Sequence, residues 1–154
     1  MHADLRAIAQ AANADPVAAM FERVGDMTNY NIFHNLVLVA TYIKPPKIMK
    51  NAEGKDVLFH FTDKTLAEDR FQGKVGLIIK MGPLAFKERR GVEFGGAAAE
   101  VGDWVMYRPS DGTELFIKDM SGLKHEGLKN EGIPCRLLDD FNIMGRISAP
   151  SLIY

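Results

Sequence analysis

The sequence has few of the residues that build covalent cross-links or metal sites. It contains one cysteine and one tryptophan in 154 residues. Cys135 alone cannot form a disulfide within the chain and cannot supply a zinc site by itself. The four histidines are scattered along the chain, with neither HxH nor HxxxH spacing between them: His2, His34, His60 and His125. We therefore expect no metal, no cofactor and a reducing compartment.

An excess of charge of one sign is also lacking. The formal net charge is −1, from 19 lysines and arginines against 20 acidic residues. The one short basic run, 87–90, is interrupted by a glutamate, so a nucleic-acid groove is not expected. The apolar runs are far shorter than the roughly 20 residues of a membrane helix. Asp4 and Arg6 stand where a signal peptide would need apolar residues. The sequence predicts a soluble, globular protein that binds neither nucleic acid nor membranes.

Short apolar runs between turn residues predict an all-β fold. Two such runs, 73–80 and 101–107, are closed by Met81-Gly82-Pro83 and by 108–112. Runs of branched and aromatic residues bounded by glycine, proline and aspartate are typical of strands in a small β-barrel. The run at 36–43 is apolar on both faces, which indicates burial on both sides or pairing across an interface. Further strands are predicted at 113–117, 135–138 and 141–147.

The first 30 residues predict a short helical arm. An alanine-rich segment, 3–13, favours one helix. Asp15 and Pro16 form a start signal for a second helix, and Gly25 stands at its expected end. This helix carries an apolar stripe at i, i+3, i+4 and i+7, made of Val17, Met20, Phe21 and Val24. Helices this short do not persist alone in water, so we expect the stripe to dock either on the chain's own barrel or on a neighbouring subunit or larger assembly.

A long loop is predicted at 47–70. Its first part, 48–55, is polar and loop-like, whereas 56–62 is apolar and β-prone. Exposed apolar clusters in long loops mark interaction sites, which favours Val57, Leu58 and Phe59 as partner contacts. The alternative is a hairpin strand in which alternate side chains cover the core.

The C-terminal segment, 148–154, predicts an extended tail that is apolar after its proline. Chain ends are usually polar and loosely held. Leu152, Ile153 and Tyr154 are therefore expected to dock on a partner.

No catalytic constellation stands out in the sequence. Cys135 is more simply a small core residue than a nucleophile, and Trp104 is a core residue or lines the mouth of the barrel. Asp103 is expected to set the turn before its strand, and Asp139-Asp140 to cap a chain reversal. Adjacent strand residues point to opposite faces, so these two carboxylates are not a natural acid–base pair. We expect a protein that is not an enzyme.

Several phrases of the sequence are shared with a known family. They read TDKT, GKVG, GPLAF, VGDWVMYRPSDG and CRL, at 62–65, 73–76, 82–86, 101–112 and 135–137. Together they resemble the GroES-like co-chaperonins, and most closely the GroES-like proteins encoded by tailed bacteriophages. The resemblance covers 31–154 and implies a small antiparallel β-barrel domain there, preceded by the arm at 1–30. It also implies a ring or other homo-oligomer, no catalysis, and a mobile loop at 47–70.

The docking element of the family is altered in this chain. In co-chaperonins, three aliphatic residues follow a Gly-Gly pair in the mobile loop. In strict register this position falls on Phe59-His60-Phe61, and Val57-Leu58-Phe59 would fill it only with two extra loop residues. This departure favours a virion structural protein over a co-chaperonin.

Two functions remain as hypotheses. The first is a decoration (cement) protein, assembled in the host cytoplasm and held in the virion, that binds capsid or neck subunits as an oligomer or in a lattice. Its contacts would be Val17, Met20, Phe21, Val57, Leu58, Phe59, Leu152, Ile153 and Tyr154. The alternative is a phage-encoded co-chaperonin that caps a chaperonin ring. An enzymatic function like that of zinc alcohol dehydrogenases, which contain a GroES-like domain, would need metal-binding cysteines and a nucleotide-binding half.

Overall fold

The computed structural model describes residues 15–42, 47–50, 56–59, 74–121 and 132–152. Within these ranges lie one α-helix, α1 (Pro16–Val24), and two single-turn 3-10 helices, Asp140–Asn142 and Pro150–Leu152. The strands of the described ranges are β1 Leu36–Thr41, β2 Lys47–Lys50, β3 Asp56–Phe59, β4 Val75–Met81, β5 Trp104–Met106, β6 Thr113–Ile117, β7 Ile133–Asp139 and β8 Gly145–Ile147. The mostly β class with one short helix is confirmed. The helix predicted at 3–13 lies outside the described residues.

Six strands form one antiparallel sheet in the order β6-β7-β1-β4-β5-β8, and β2 and β3 form a separate pair. A barrel closes only when its two end strands hydrogen-bond to each other. Among the described residues, β6 pairs with β7 and β8 pairs with β5, so the sheet is not closed into the predicted barrel. One apolar cluster nevertheless runs across the whole sheet, because Leu115 of β6 and Ile147 of β8 both pack against it.

The sheet is buried on both faces, as the sequence of β1 predicts. Successive side chains of a strand point to opposite sides. Leu38 and Ala40 belong to one apolar cluster, whereas Val37 and Val39 belong to the other. All four are at most 2 % exposed. The inner strands therefore form a platform with a packed core on each side.

The start and end signals of α1 are confirmed. The Asp15 carboxylate accepts hydrogen bonds from the Val17 amide at 3.1 Å and the Ala18 amide at 3.2 Å. Pro16 occupies the first turn, where its missing N–H costs nothing. Gly25 ends the helix with a φ of 66°, a left-handed value that glycine adopts without strain.

The helix packs on the chain's own sheet. Met20 and Val24 are buried in the first cluster, and Val17 and Phe21 pack against it. The Arg23 side chain donates to the Asp119 carboxylate at 2.9 Å, just after β6. The Met120 amide donates to the Arg23 carbonyl at 2.7 Å. The sequence leaves two docking places open for the apolar stripe of α1. In the structure, the stripe packs on the chain's own core.

Several predicted segments differ in the structure. The segment 48–55 is not all loop, because Ile48 pairs with Leu58 and Met49 with Val57 in the β2–β3 hairpin. The strand predicted at 101–107 is shorter, because the Asp103 side chain accepts from the Glu100 amide at 2.9 Å and holds a turn before β5.

The C-terminal segments differ as well. The closing strand predicted at 141–147 begins only at Gly145, because the chain first makes the 3-10 turn Asp140–Asn142. The tail is not extended over its described part either, since Pro150–Leu152 forms another 3-10 turn. Proline favours such a first-turn position because its φ is already fixed near the helical value.

Candidate docking surface

One end of the main sheet gathers three chain segments. In the antiparallel register, Leu36 at the start of β1 faces Asp139 at the end of β7. Its neighbour Val37 faces Met81 at the end of β4. The segments that leave β4 and β7 therefore emerge beside the segment that enters β1.

The turn after β4 is pressed against the entry to β1. The Gly82 amide donates to the Leu36 carbonyl at 2.8 Å, and the Leu84 amide donates to the His34 carbonyl at 2.9 Å. A Cβ atom on Gly82 would lie 2.3 Å from the His34 carbonyl oxygen. Only glycine permits this approach of two backbones, and it sets the direction in which the 84–94 loop leaves the sheet.

Three phenylalanines from two segments form an aromatic surface at this end: Phe86, Phe94 and Phe141. Phe86 and Phe94 meet edge to face with ring centroids 5.7 Å apart. Phe94 and Phe141 stack at 5.2 Å. The Arg89 guanidinium lies 5.8 Å from the centre of the Phe94 ring, within the range of a cation–π contact.

The aromatic surface is open to solvent on one side and joined to the core on the other. Phe141 is 56 % exposed, and Leu84, in the same loop as Phe86, is 44 % exposed. Phe86 packs against the second apolar cluster. Phe33, beside the Gly82 turn, is 67 % exposed. Exposed apolar groups gathered on a rigid support are typical of protein–protein contact sites.

A buried carboxylate holds the two segments of this surface together. Asp140 is 1 % exposed. Arg89 donates to both of its oxygens, from Nη1 at 2.8 Å and from Nη2 at 3.2 Å. The Phe86 amide donates to the same carboxylate at 3.1 Å, and so does Asn35 Nδ2, also at 3.1 Å. A two-pronged arginine–carboxylate pair fixes orientation as well as charge.

The hydrogen bonds decide the ionisation state of Asp140. Burial by itself would raise the pKa of this carboxyl. The donors Arg89, Asn35 and the Phe86 amide outweigh burial and lower the pKa below its usual value. The pKa of Arg89 is raised by the same pair. Asp140 is therefore a carboxylate at neutral pH, and the ion pair is intact.

The predicted contact residues of the arm are used inside the chain. Met20 is 7 % exposed and lies in the first cluster. Val17 and Phe21 are half-buried against that cluster. The structure brings these three together on one face of α1, and that face is turned to the sheet.

The predicted contacts of the loop and the tail are only partly described. Val57, Leu58 and Phe59 lie in β3, paired with β2. Leu152 is 69 % exposed at the end of its 3-10 turn. Ile153 and Tyr154 lie outside the described residues.

Cys135 lies in an environment that disfavours a reactive thiolate. Cys135 is fully buried in the first cluster. Burial raises the pKa of its thiol to about 12, although the charge of Arg23 acts in the opposite direction. Only the thiolate is a strong nucleophile, so the core role predicted for Cys135 is confirmed. Trp104 is likewise a core residue at 4 % exposure.

Two further features bear on what the described residues can do. Within them, no three histidines, cysteines, aspartates or glutamates form a group that could hold a metal ion. No helix in the described ranges is long and apolar enough to cross a membrane.

Sequence reasoning did not assign a role to the aromatic surface. Phe86 and Phe94 stand in short apolar patches on either side of the charged turn at 87–90. Asp140 was expected only to cap a reversal. The one local signal is a pair of phenylalanines flanking an arginine-containing turn, and nothing local connects that turn to Phe141.

No protein-family model matches the chain, and no curated protein matches it.

Proposed function

We propose that the chain is a non-enzymatic structural protein of a bacteriophage particle, a decoration protein that binds capsid or neck subunits through its aromatic surface. The phage origin is proposed from the resemblance to phage-encoded GroES-like proteins, which the sequence at 73–76, 82–86 and 101–112 carries. The observation that carries the docking role is the aromatic surface, in which the exposed Phe141 is joined to the half-buried Phe94 and Phe86 at the end of a sheet that is packed on both faces.

The aromatic surface suits a contact with another protein. Aromatic side chains and arginine are enriched in the energetic centres of protein interfaces. Phe141 is exposed; it stacks on Phe94, and the Arg89 guanidinium lies against the Phe94 ring. Such a surface is preorganised, so little side-chain entropy is lost on binding. A GroES-like domain would serve as the rigid mount of this surface.

The hairpin supports the virion role over the co-chaperonin role. A co-chaperonin presents its apolar tripeptide at the tip of a mobile loop. Here Val57-Leu58-Phe59 belongs to a strand of the β2–β3 hairpin. The connection between the two strands, 51–55, reads NAEGK. The apolar segment thus pairs with β2 as a strand, and the sequence between the two strands is mainly polar.

A pair of matched substitutions tests the aromatic surface. Purified chain is added to phage particles assembled without it, and bound chain is measured after sedimentation. Phe141→Ser removes a 56 % exposed ring of the surface, and Phe116→Ser removes a 41 % exposed ring of β6. Truncation of an interface centre costs tenfold or more in affinity.

We expect about tenfold weaker particle binding for Phe141→Ser and unchanged binding for Phe116→Ser. Equal affinities of the wild-type chain and Phe141→Ser for the particles would show that the aromatic surface is not the contact site. Binding of the wild-type chain to chaperonin but not to particles would replace the virion role by the co-chaperonin role.

A further inference from the structure

The 84–94 loop has little structure of its own. Its internal backbone bonds are those of short turns, such as the Lys87 amide to the Leu84 carbonyl at 3.1 Å. Arg89 and Val92 exchange the two backbone bonds of one isolated bridge. Phe86 has a φ of 59°, a value that costs a bulky residue energy. Something outside the loop must hold this conformation.

Asp140 supplies that hold. Its carboxylate binds the loop at two points, the Phe86 amide and the Arg89 guanidinium. Arg89 Nη1 in turn donates to the carbonyls of Leu84 at 3.0 Å and Lys87 at 3.1 Å. One buried carboxylate thus organises loop positions 84, 86, 87 and 89, and it lies in the same 3-10 turn as Phe141.

We propose that the Arg89–Asp140 ion pair is a clasp that locks the 84–94 loop onto the Asp140–Asn142 turn and so assembles the aromatic surface for its partner. With the pair intact, Phe86 and Phe94 are held beside Phe141. With the pair broken, the loop loses the two charged bonds between Arg89 and Asp140. It keeps its turn bonds, the bond from the Leu84 amide to the His34 carbonyl, and the apolar packing of Phe86. Asp140 acts by positioning the loop that carries Phe86 and Phe94. That the assembled surface binds a partner rests on the proposed function.

Hydrogen exchange of single amides tests the clasp without any partner. Asp140→Asn removes the negative charge while keeping the shape of the side chain. Arg89→Gln removes the positive charge of the other partner, whose side chain is partly exposed. The reporting amides are those of Phe86, Arg89 and Val92, and amides of β1 and β4 report the core. Arg146→Gln is the control, because it breaks the more exposed Arg146–Asp103 pair, 3.5 Å long, on another part of the sheet.

We expect the loop amides to exchange at least tenfold faster in Asp140→Asn and in Arg89→Gln, with β1 and β4 amides changed by less than about threefold. Arg89→Lys should restore part of the protection, because it keeps a cation but donates as a single point. Arg146→Gln should leave the loop unchanged. A merely space-filling role for Arg89 would make the lysine and glutamine variants equal.

Two results would overturn the clasp. One is unchanged loop exchange in both variants. The other is equal acceleration in the loop and in β1, since loop and core would then open as one unit. Particle binding by these variants is measured separately. Failure of the wild-type chain to bind particles would refute the proposed function and leave the exchange result on the clasp standing.

Discussion

Asp140 and Cys135 are both buried, and their surroundings shift their pKa values in opposite directions. Asp140 is met by an arginine, an amide side chain and a backbone N–H, so its pKa is lowered and it keeps its charge. Cys135 has apolar neighbours, and its thiol donates a weak bond to the Ile133 carbonyl at 3.5 Å. Its pKa rises to about 12. At the residue scale, one group is an electrostatic anchor and the other is a small apolar filler.

The thiol of Cys135 should be unreactive in the folded chain. A thiol with a pKa near 8.5 is partly ionised at pH 8, whereas one with a pKa of about 12 is ionised roughly a thousandfold less. We expect no labelling by a disulfide reagent at pH 8 over an hour, and one thiol per chain in denaturant. Ser110→Cys, at an exposed position, is the control and should label within minutes. Complete labelling of the folded wild-type chain in minutes would contradict the burial of Cys135.

Local signals in the sequence predict α1 well but not where it packs. Asp15, Pro16 and Gly25 mark its ends through bonds that span only a few residues. The apolar stripe predicts that one face of α1 is buried. It does not predict which other part of the protein covers that face. The structure answers this with the first apolar cluster and with the Arg23–Asp119 pair, whose partners lie 96 positions apart.

The same limit explains the elements that sequence reasoning missed. The aromatic surface exists because β1 pairs with both β4 and β7, which brings Phe86 and Phe141 to one end of the sheet. That pairing is long-range and leaves no local pattern. The strand β2 reads KIMK, too polar to be recognised alone, and it becomes a strand through its pairing with β3. By contrast, β6 matches its predicted bounds, 113–117, because its ends are marked by a Ser-Asp-Gly turn and a lysine.

Helix α1 should contribute to the stability of the whole chain. Met20→Ala removes a side chain that is 7 % exposed in the first cluster, and such deletions lower the free energy of unfolding by about 2–4 kcal/mol. Glu22→Ala, on the exposed face, should change it by less than about 0.5 kcal/mol. Denaturant unfolding of both variants measures the difference. An unfolding free energy for Met20→Ala equal to that of the wild type would mean that the helix does not dock on the sheet in solution.

At the scale of the whole molecule, six of the described strands form one sheet with a core on each face and an aromatic surface at one end. The two clusters share the four inner strands. Because these strands are buried on both sides, they form a rigid support. The aromatic surface at their end is therefore held in a fixed orientation relative to the sheet. The helix covers the first apolar cluster on one face of the sheet, and the aromatic surface lies at the end of the inner strands.

The chain content of purified phage particles is the most direct measurement of this account. Under the proposed virion role, a phage encodes the chain. Particles of that phage are purified on a density gradient, and the chain is quantified by mass spectrometry against the major capsid protein. Chaperonin from the same cells is purified in parallel, with and without nucleotide. We predict a fixed ratio of the chain to the capsid protein from one preparation to the next. Absence of the chain from the particles, together with nucleotide-dependent recovery on chaperonin, would contradict the account.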